Sequence, residues 1–253
     1  MEIKLILFLI PKIVFIYLLI IKINCQHFEK SRSVWVEQGL VKGKIFKIDG
    51  QQMQIFRGIP FIEIYPKFST SSRIITSSSE SYAEPPIGEL RFRKPLKKEK
   101  WEREFAAIDY GPPCLQFMDF HRNDRYSGKN MQLESEDCLT LNIFSPYDSE
   151  DEGSLHPILV WIYGGSFLAG SADTGIDMEV LARNIVFRNI TFISVNYRLG
   201  PLGFMSLSHG AAGGGKTIEG NFGLWDIALA LEWVQRNIKQ FNGDPNKVII
   251  GTL

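Results

Sequence analysis

Two short apolar runs, with a helix-like stretch between them, constrain this chain more than any other feature. Ile158-Leu159-Val160-Trp161-Ile162 is continuously apolar and Thr191-Phe192-Ile193-Ser194-Val195 nearly so, while Met178 to Arg188 reads as helical. A strand with no polar face has to be covered on both sides. Strands of this kind joined by a helix imply a parallel sheet with helices on its two faces. A further helix is predicted from Leu224 to Gln240. There Leu224, Ala228, Leu231, Val234 and Ile238 recur at helical spacing, and Trp225, Leu229 and Trp233 widen the stripe. Asn221 suits its N-cap, Gly243-Asp244-Pro245 ends it, and Lys247-Val248-Ile249-Ile250 starts another buried strand. The fold class is α/β.

The segments before this unit are shorter. Val34-Trp35-Val36, Val41 to Ile48 and Met53 to Phe56 read as strands punctuated by Gly39, Gly43 and Asp49-Gly50. Asp-Gly between apolar runs signals a hairpin. Residues 61–81 then lose all periodicity and crowd with serine. Such a stretch buries too little apolar surface to offset its ordering entropy, so it is predicted to be a disordered surface insertion. Gln116 to Glu136 is a second long polar excursion.

The first 25 residues are of different material: Leu5–Ile10 and Ile13–Ile21 are apolar, broken by Pro11 and Lys12. A bilayer span needs about 20 unbroken apolar residues. A central lysine costs about 3 kcal/mol there, and proline breaks the helix. Ile13 to Ile21 has the size of a signal-peptide core with cleavage near Asn24–Gln26, the alternative being an uncleaved signal anchor that would tether the protein to a membrane. Residues 26–253 then form the exported unit, and the expected location is extracellular. Export permits a disulfide. Of the three cysteines, Cys25 falls at the cleavage point, which leaves Cys114 and Cys138; their spacing suits neither zinc nor a redox dithiol. Asn189-Ile190-Thr191 is a glycosylation sequon that abuts an apolar strand, so either outcome is open at Asn189. With 28 basic and 28 acidic side chains the net charge is zero, and no overall field draws the chain to nucleic acid or anionic lipid.

Tyr163-Gly164-Gly165-Ser166-Phe167 directly follows the first apolar strand. Adjacent glycines there let bare backbone N–H groups face a cavity, where one donor to a developing oxyanion lowers a barrier by about 3 kcal/mol. Taken alone, Gly-Gly is more readily a tight turn. Gly210 to Thr217 has the spacing of a phosphate-binding loop, but no clean strand precedes it and Glu219-Gly220-Asn221 delays the helix after it, so nucleotide binding is rejected. The nucleophile motif of an α/β-hydrolase, Gly-x-Ser-x-Gly, occurs nowhere in the 253 residues. His27, His121, His156 and His209 all precede the place for it, whereas in this fold the general base follows the serine. No metal or cofactor site is read.

Several segments, in order, resemble the carboxylesterase/cholinesterase family (type-B carboxylesterases). Phe56-Arg57-Gly58-Ile59-Pro60 followed by Tyr82 to Phe92 is similar to a block that is continuous in the family, which marks 61–81 as an insertion. Glu136-Asp137-Cys138-Leu139-Thr140-Leu141-Asn142 matches the family's Glu-Asp-Cys-Leu signature, and Trp161 to Phe167 its oxyanion strand and loop. Asn196-Tyr197-Arg198-Leu199-Gly200, Gly220 to Asp226 and Gly243 to Val248 match three later blocks. The resemblance implies an α/β-hydrolase fold, a serine acyl-enzyme mechanism on a small-molecule carboxylic ester, and a Cys114–Cys138 disulfide. It also implies ion pairs Arg91–Glu136 and Arg198–Asp226, and an oxyanion hole formed by the amides of Gly165 and Ser166 with Gly164 shaping the turn.

The departures matter equally. Ser166 stands where active members commonly have glycine. After Val248 the chain reads Ile249-Ile250-Gly251-Thr252-Leu253 where the family continues to Gly-Glu-Ser-Ala-Gly, so the expectation is a chain truncated before the nucleophile elbow and inactive as it stands. No tryptophan lies between Cys114 and Cys138, where cholinesterases hold a quaternary ammonium by cation–π attraction worth about 2 kcal/mol when desolvated. A general carboxylesterase is therefore expected over a cholinesterase, the other alternative being a neuroligin-like adhesion protein without a working triad.

Overall fold

The computed structural model describes residues 30–63, 90–116, 134–148, 153–173, 175–207 and 217–252. The signal segment 1–25, most of the insertion 61–81, and all but Thr217 of the phosphate-loop-like stretch lie outside the described residues, as do Cys25, His27, His121 and His209.

The strands are β1 (Lys30–Val36), β2 (Gly39–Ile48), β3 (Gln51–Pro60), β4 (Ile62–Glu63), β5 (Leu96–Lys97), β6 (Phe105–Ala106), β7 (Thr140–Pro146), β8 (His156–Ile162), β9 (Thr191–Val195) and β10 (Gly243–Thr252). The helices are α1 (Met178–Asn184), α2 (Gly200–Phe204) and α3 (Phe222–Asn237). Eight strands share one sheet in the order β1-β2-β3-β7-β9-β8-β10, with β6 alongside β2, while β4 and β5 form a separate ladder.

The expected parallel unit is present at one edge, where β9, β8 and β10 run parallel. The sheet as a whole is mixed, not parallel, because β1, β2, β3, β7 and β9 pair antiparallel in sequence. Short connections account for β1–β2 and β2–β3, since a hairpin needs few residues whereas a parallel step needs a crossover; β3–β7 and β7–β9 pair antiparallel across long connections. The Asp49-Gly50 turn joins Ile48 to Gln51 with φ of 49° and 86°, the left-handed pair that a two-residue hairpin requires. Phe61 and β4 are a correction to the expected insertion: Phe61 is 1% exposed and belongs to the core.

Alternation along the central strands divides the core between two faces. Leu141, Ile143, Ile158, Val160, Ile193 and Val195 point to one face and meet Trp233 and Val234 of α3. Phe144, Phe192, Leu159 and Trp161 point to the other and meet Leu181 and Ala182 of α1. The result is a three-layer α/β/α unit. Strand β7 is wholly buried, although Asn142 and Ser145 break its apolar run. Those polar atoms are used internally: the Gly58 amide donates to Asn142 Oδ1 at 2.9 Å, and Ser145 Oγ donates to the Phe241 carbonyl at 2.7 Å.

Helix α3 starts where expected but presents a rotated face. Phe222, Asp226, Ala230, Trp233 and Val234 are buried, whereas Leu224 and Trp225 are about half exposed. Asn221 occupies the N-cap position in a left-handed conformation without a side-chain capping bond. The chain leaves the helix through a 3₁₀ turn, Ile238–Phe241, closed by left-handed Asn242 before the expected Gly243. Among the described residues no helix is long and apolar enough to cross a membrane, and none of the His, Cys, Asp and Glu side chains cluster in threes for a metal.

Candidate active site

The C-terminal ends of β8 and β9 lie side by side, and the loops leaving them carry most of the residues singled out from the sequence. Beyond Ile162 the chain enters a turn in which the Leu168 and Ala169 amides both donate to the Gly165 carbonyl, at 2.9 and 3.2 Å. Gly165 has φ of 126°, and Ser166 and Phe167 follow at 55° and 62°. Three consecutive residues with positive φ are costly, about 1–3 kcal/mol for each non-glycine. Strain of this kind persists only where the surroundings enforce it. Here the Gly200 amide donates to the Phe167 carbonyl at 2.7 Å, and the Phe167 and Phe204 rings pack at 4.6 Å.

Gly165 and Ser166 are exposed, and their N–H groups make no hydrogen bond among the described residues. Gly164 is half-buried and forms the approach to the turn. Serine at position 166 keeps the backbone N–H that a glycine would have, in an exposed residue.

Two clamps that the sequence did not announce fix this loop to the scaffold. Tyr163 and Tyr197 stack with ring centroids 4.5 Å apart, and each hydroxyl donates to the other residue's carbonyl, at 3.0 and 2.9 Å. Burial raises both phenols, Tyr197 to about 12 and Tyr163 well above its ordinary value, so both remain donors at any working pH. The second clamp is Gln116, whose side-chain amide donates to the Gly170 carbonyl at 3.1 Å and accepts from the Gly170 amide at 3.0 Å. A glutamine in a polar excursion carries no local signal for such a role.

Beneath the loop, Arg198 and Asp226 form a bidentate pair, Nε to Oδ2 at 2.8 Å and Nη2 to Oδ1 at 2.7 Å. The Arg198 amide adds a third bond to Asp226 Oδ2 at 3.0 Å. Both side chains are buried, 5% and 0% exposed. Burial pushes the Asp226 carboxyl up, and the Arg198 guanidinium pulls it part of the way back. The pair joins the end of β9 to α3.

Arg91 and Glu136 also pair, with Nε donating to Oε2 at 2.8 Å and Nη2 to Oε1, but this pair is solvent-facing. Glu136 holds the Arg91 guanidinium above its ordinary value. Such a pair positions chain segments more than it stabilises them. Cys114 and Cys138 are bonded, both 1% exposed. Closing a loop of 24 residues contributes about 3 kcal/mol in the chain-entropy model. Arg91, Glu136, Cys114, Cys138 and Arg198 line one small hollow, so both ion pairs and the disulfide converge at the same end of the sheet. Asn189 alone lies at the opposite end, before β9 begins.

Residues 81–252 match the model of the carboxylesterase family. The chain is 34% identical over 248 residues to acetylcholinesterase 4 of Caenorhabditis briggsae, covering 95% of this chain and 35% of that protein. It is 42% identical over 173 residues to carboxylesterase 3B of Mus musculus, covering 67% and 28%. Among solved structures, a PNB esterase superposes with a TM-score of 0.65 at 32% identity, over 87% of this chain and 38% of that one. The chain thus spans about a third of the length of the curated relatives it matches. By this family match, these relatives and the shared mixed sheet, the chain belongs to the carboxylesterase family and has the α/β-hydrolase fold.

Proposed function

We propose that these residues build the oxyanion-binding half of a serine carboxylesterase site, and that nucleophile, acid and histidine come from residues outside these 253. The observation that carries this reading is the pair of unbonded amides at Gly165 and Ser166, on a strained loop at the C-terminal end of β8. Register supports it. Strand β10 runs parallel to β8 with Thr252 opposite Ile162, one residue before Tyr163. A serine on a sharp turn after a strand in this place would face the two amides. Its hydroxyl oxygen attacks the ester carbonyl carbon as the histidine takes the hydroxyl proton, the amides hold the negative charge on the carbonyl oxygen, and the histidine returns the proton to the alcohol oxygen as its bond to the acyl carbon breaks.

The substrate class is a small carboxylic ester. A general carboxylesterase is favoured over a cholinesterase because the Cys114–Cys138 loop contains no tryptophan for a quaternary ammonium. A buried disulfide suits an exported protein, which supports reading residues 1–25 as a signal and the protein as secreted.

With no Gly-x-Ser-x-Gly, the 253 residues alone are expected to give no turnover of p-nitrophenyl butyrate above a heat-killed control. The same residues joined to a chain carrying that motif, acid and histidine are expected to hydrolyse it. Organophosphate-sensitive turnover by the 253-residue product would contradict this reading.

A further inference from the structure

At the end of the sheet away from the oxyanion loop, a groove of about 430 Å³ is lined by Gln52, Tyr147, His156, Phe187 and Asn189, among others. Asn189 stands at its rim. It caps the 3₁₀ turn Val186–Arg188 with φ of 62°, a left-handed conformation that asparagine tolerates better than most residues. It is exposed, and its side-chain amide makes no hydrogen bond among the described residues. Asn189-Ile190-Thr191 is the only Asn-x-Ser/Thr sequence in the chain. Phe187, two residues earlier, lines the same groove and supplies an aromatic surface there, half-buried against the core.

Thr191 sets the timing. It is 0% exposed in β9, between β7 and β8, with Oγ1 at 2.8 Å from Ser145 Oγ. An enzyme that reads the sequon must reach this hydroxyl, which it can do only before the central strand closes. Asn189 itself remains open in the folded chain, so a sugar attached early meets no obstacle later.

We infer that Asn189 is an N-glycosylation site, modified before β9 is enclosed, and that its first sugar then lies in this groove against Phe187. The inference rests on the export reading under Proposed function. Its test separates the two: a foreign secretion signal is placed ahead of the full chain in cultured animal cells, and export by the chain's own N-terminus is scored apart. Peptide-N-glycosidase F is expected to shift the luminal protein by one glycan on a gel, and Asn189→Gln is expected to abolish that shift. Luminal protein with Cys114–Cys138 oxidised but no shift would overturn the site. The berth is tested by the rate of sugar release, expected to be several-fold slower from native than from denatured protein, and faster from native Phe187→Ala. Equal native and denatured rates in the parent would overturn the berth.

Discussion

Gly165→Ala is expected to lower kcat by about 10²–10³-fold in any hydrolase containing this loop and a nucleophile, the cost of losing one oxyanion donor. A β-carbon at this position would sit 1.9 Å from the Ala169 carbonyl oxygen and 2.9 Å from its carbon. The φ of 126° is also closed to an L side chain. The turn held by the Leu168 and Ala169 amides therefore has to open, and the Gly165 and Ser166 amides turn away from a common point. Residues 165–168 are exposed but the displaced Ala169 is buried, so the melting temperature should also fall, while kcat falls far more than that loss of stability accounts for. Ser166→Gly is the control: it keeps the amide and removes about 1–2 kcal/mol of left-handed strain, so activity should hold or rise. Activity assays with p-nitrophenyl butyrate beside thermal melts decide the matter, and a Gly165→Ala enzyme with parental kcat would be incompatible with the assigned donors.

The largest stability effect is expected at Arg198. Removing it as Arg198→Ala leaves the wholly buried Asp226 carboxylate without its bidentate partner, a loss of about 3–5 kcal/mol. Burial already pushes the Asp226 carboxyl up, and without the guanidinium it moves higher still. A carboxyl whose folded pKa exceeds its unfolded value contributes stability that is fully present below the unfolded pKa and is lost as pH rises through the folded one. The variant should thus regain stability on acidification from neutral pH toward the ordinary carboxylate range, more steeply than the parent. Replacing both partners with apolar residues of similar volume should recover most of the loss. Urea unfolding midpoints at two pH values provide the readout, and a deficit independent of pH would argue against a stranded Asp226.

Much of the fold was legible because its central strands carry their burial on their faces. Ile158 to Ile162 and Thr191 to Val195 have no polar side to hide, and Asp49-Gly50 encodes a turn by itself. Strand β7 was legible only as a family signature, since Asn142 and Ser145 imitate a surface pattern while bonding internally to Gly58 and Phe241. The buried face of α3 departs from its sequence stripe for a related reason. Leu224, Ala228 and Leu231 fit a helical stripe, but the buried face includes Asp226, whose polarity is neutralised only by a residue 28 positions away. The turn after β8 is legible as Gly164-Gly165, whereas its supports, the Tyr163–Tyr197 exchange and the Gln116 clamp, depend on contacts that no local window contains. The Arg91–Glu136 and Arg198–Asp226 pairs look alike as sequence, yet only the second is buried, so only the second carries a large energetic penalty.

The central claim is that the amides of Gly165 and Ser166 receive the developing oxyanion. Its most direct test is a crystal structure of these residues, in a chain that carries the nucleophile, after reaction with a fluorophosphonate. The phosphonyl oxygen stands in for the oxyanion and should lie about 2.7–3.1 Å from both amide nitrogens. A phosphonyl oxygen turned away from them, toward solvent or toward other donors, would contradict the assignment.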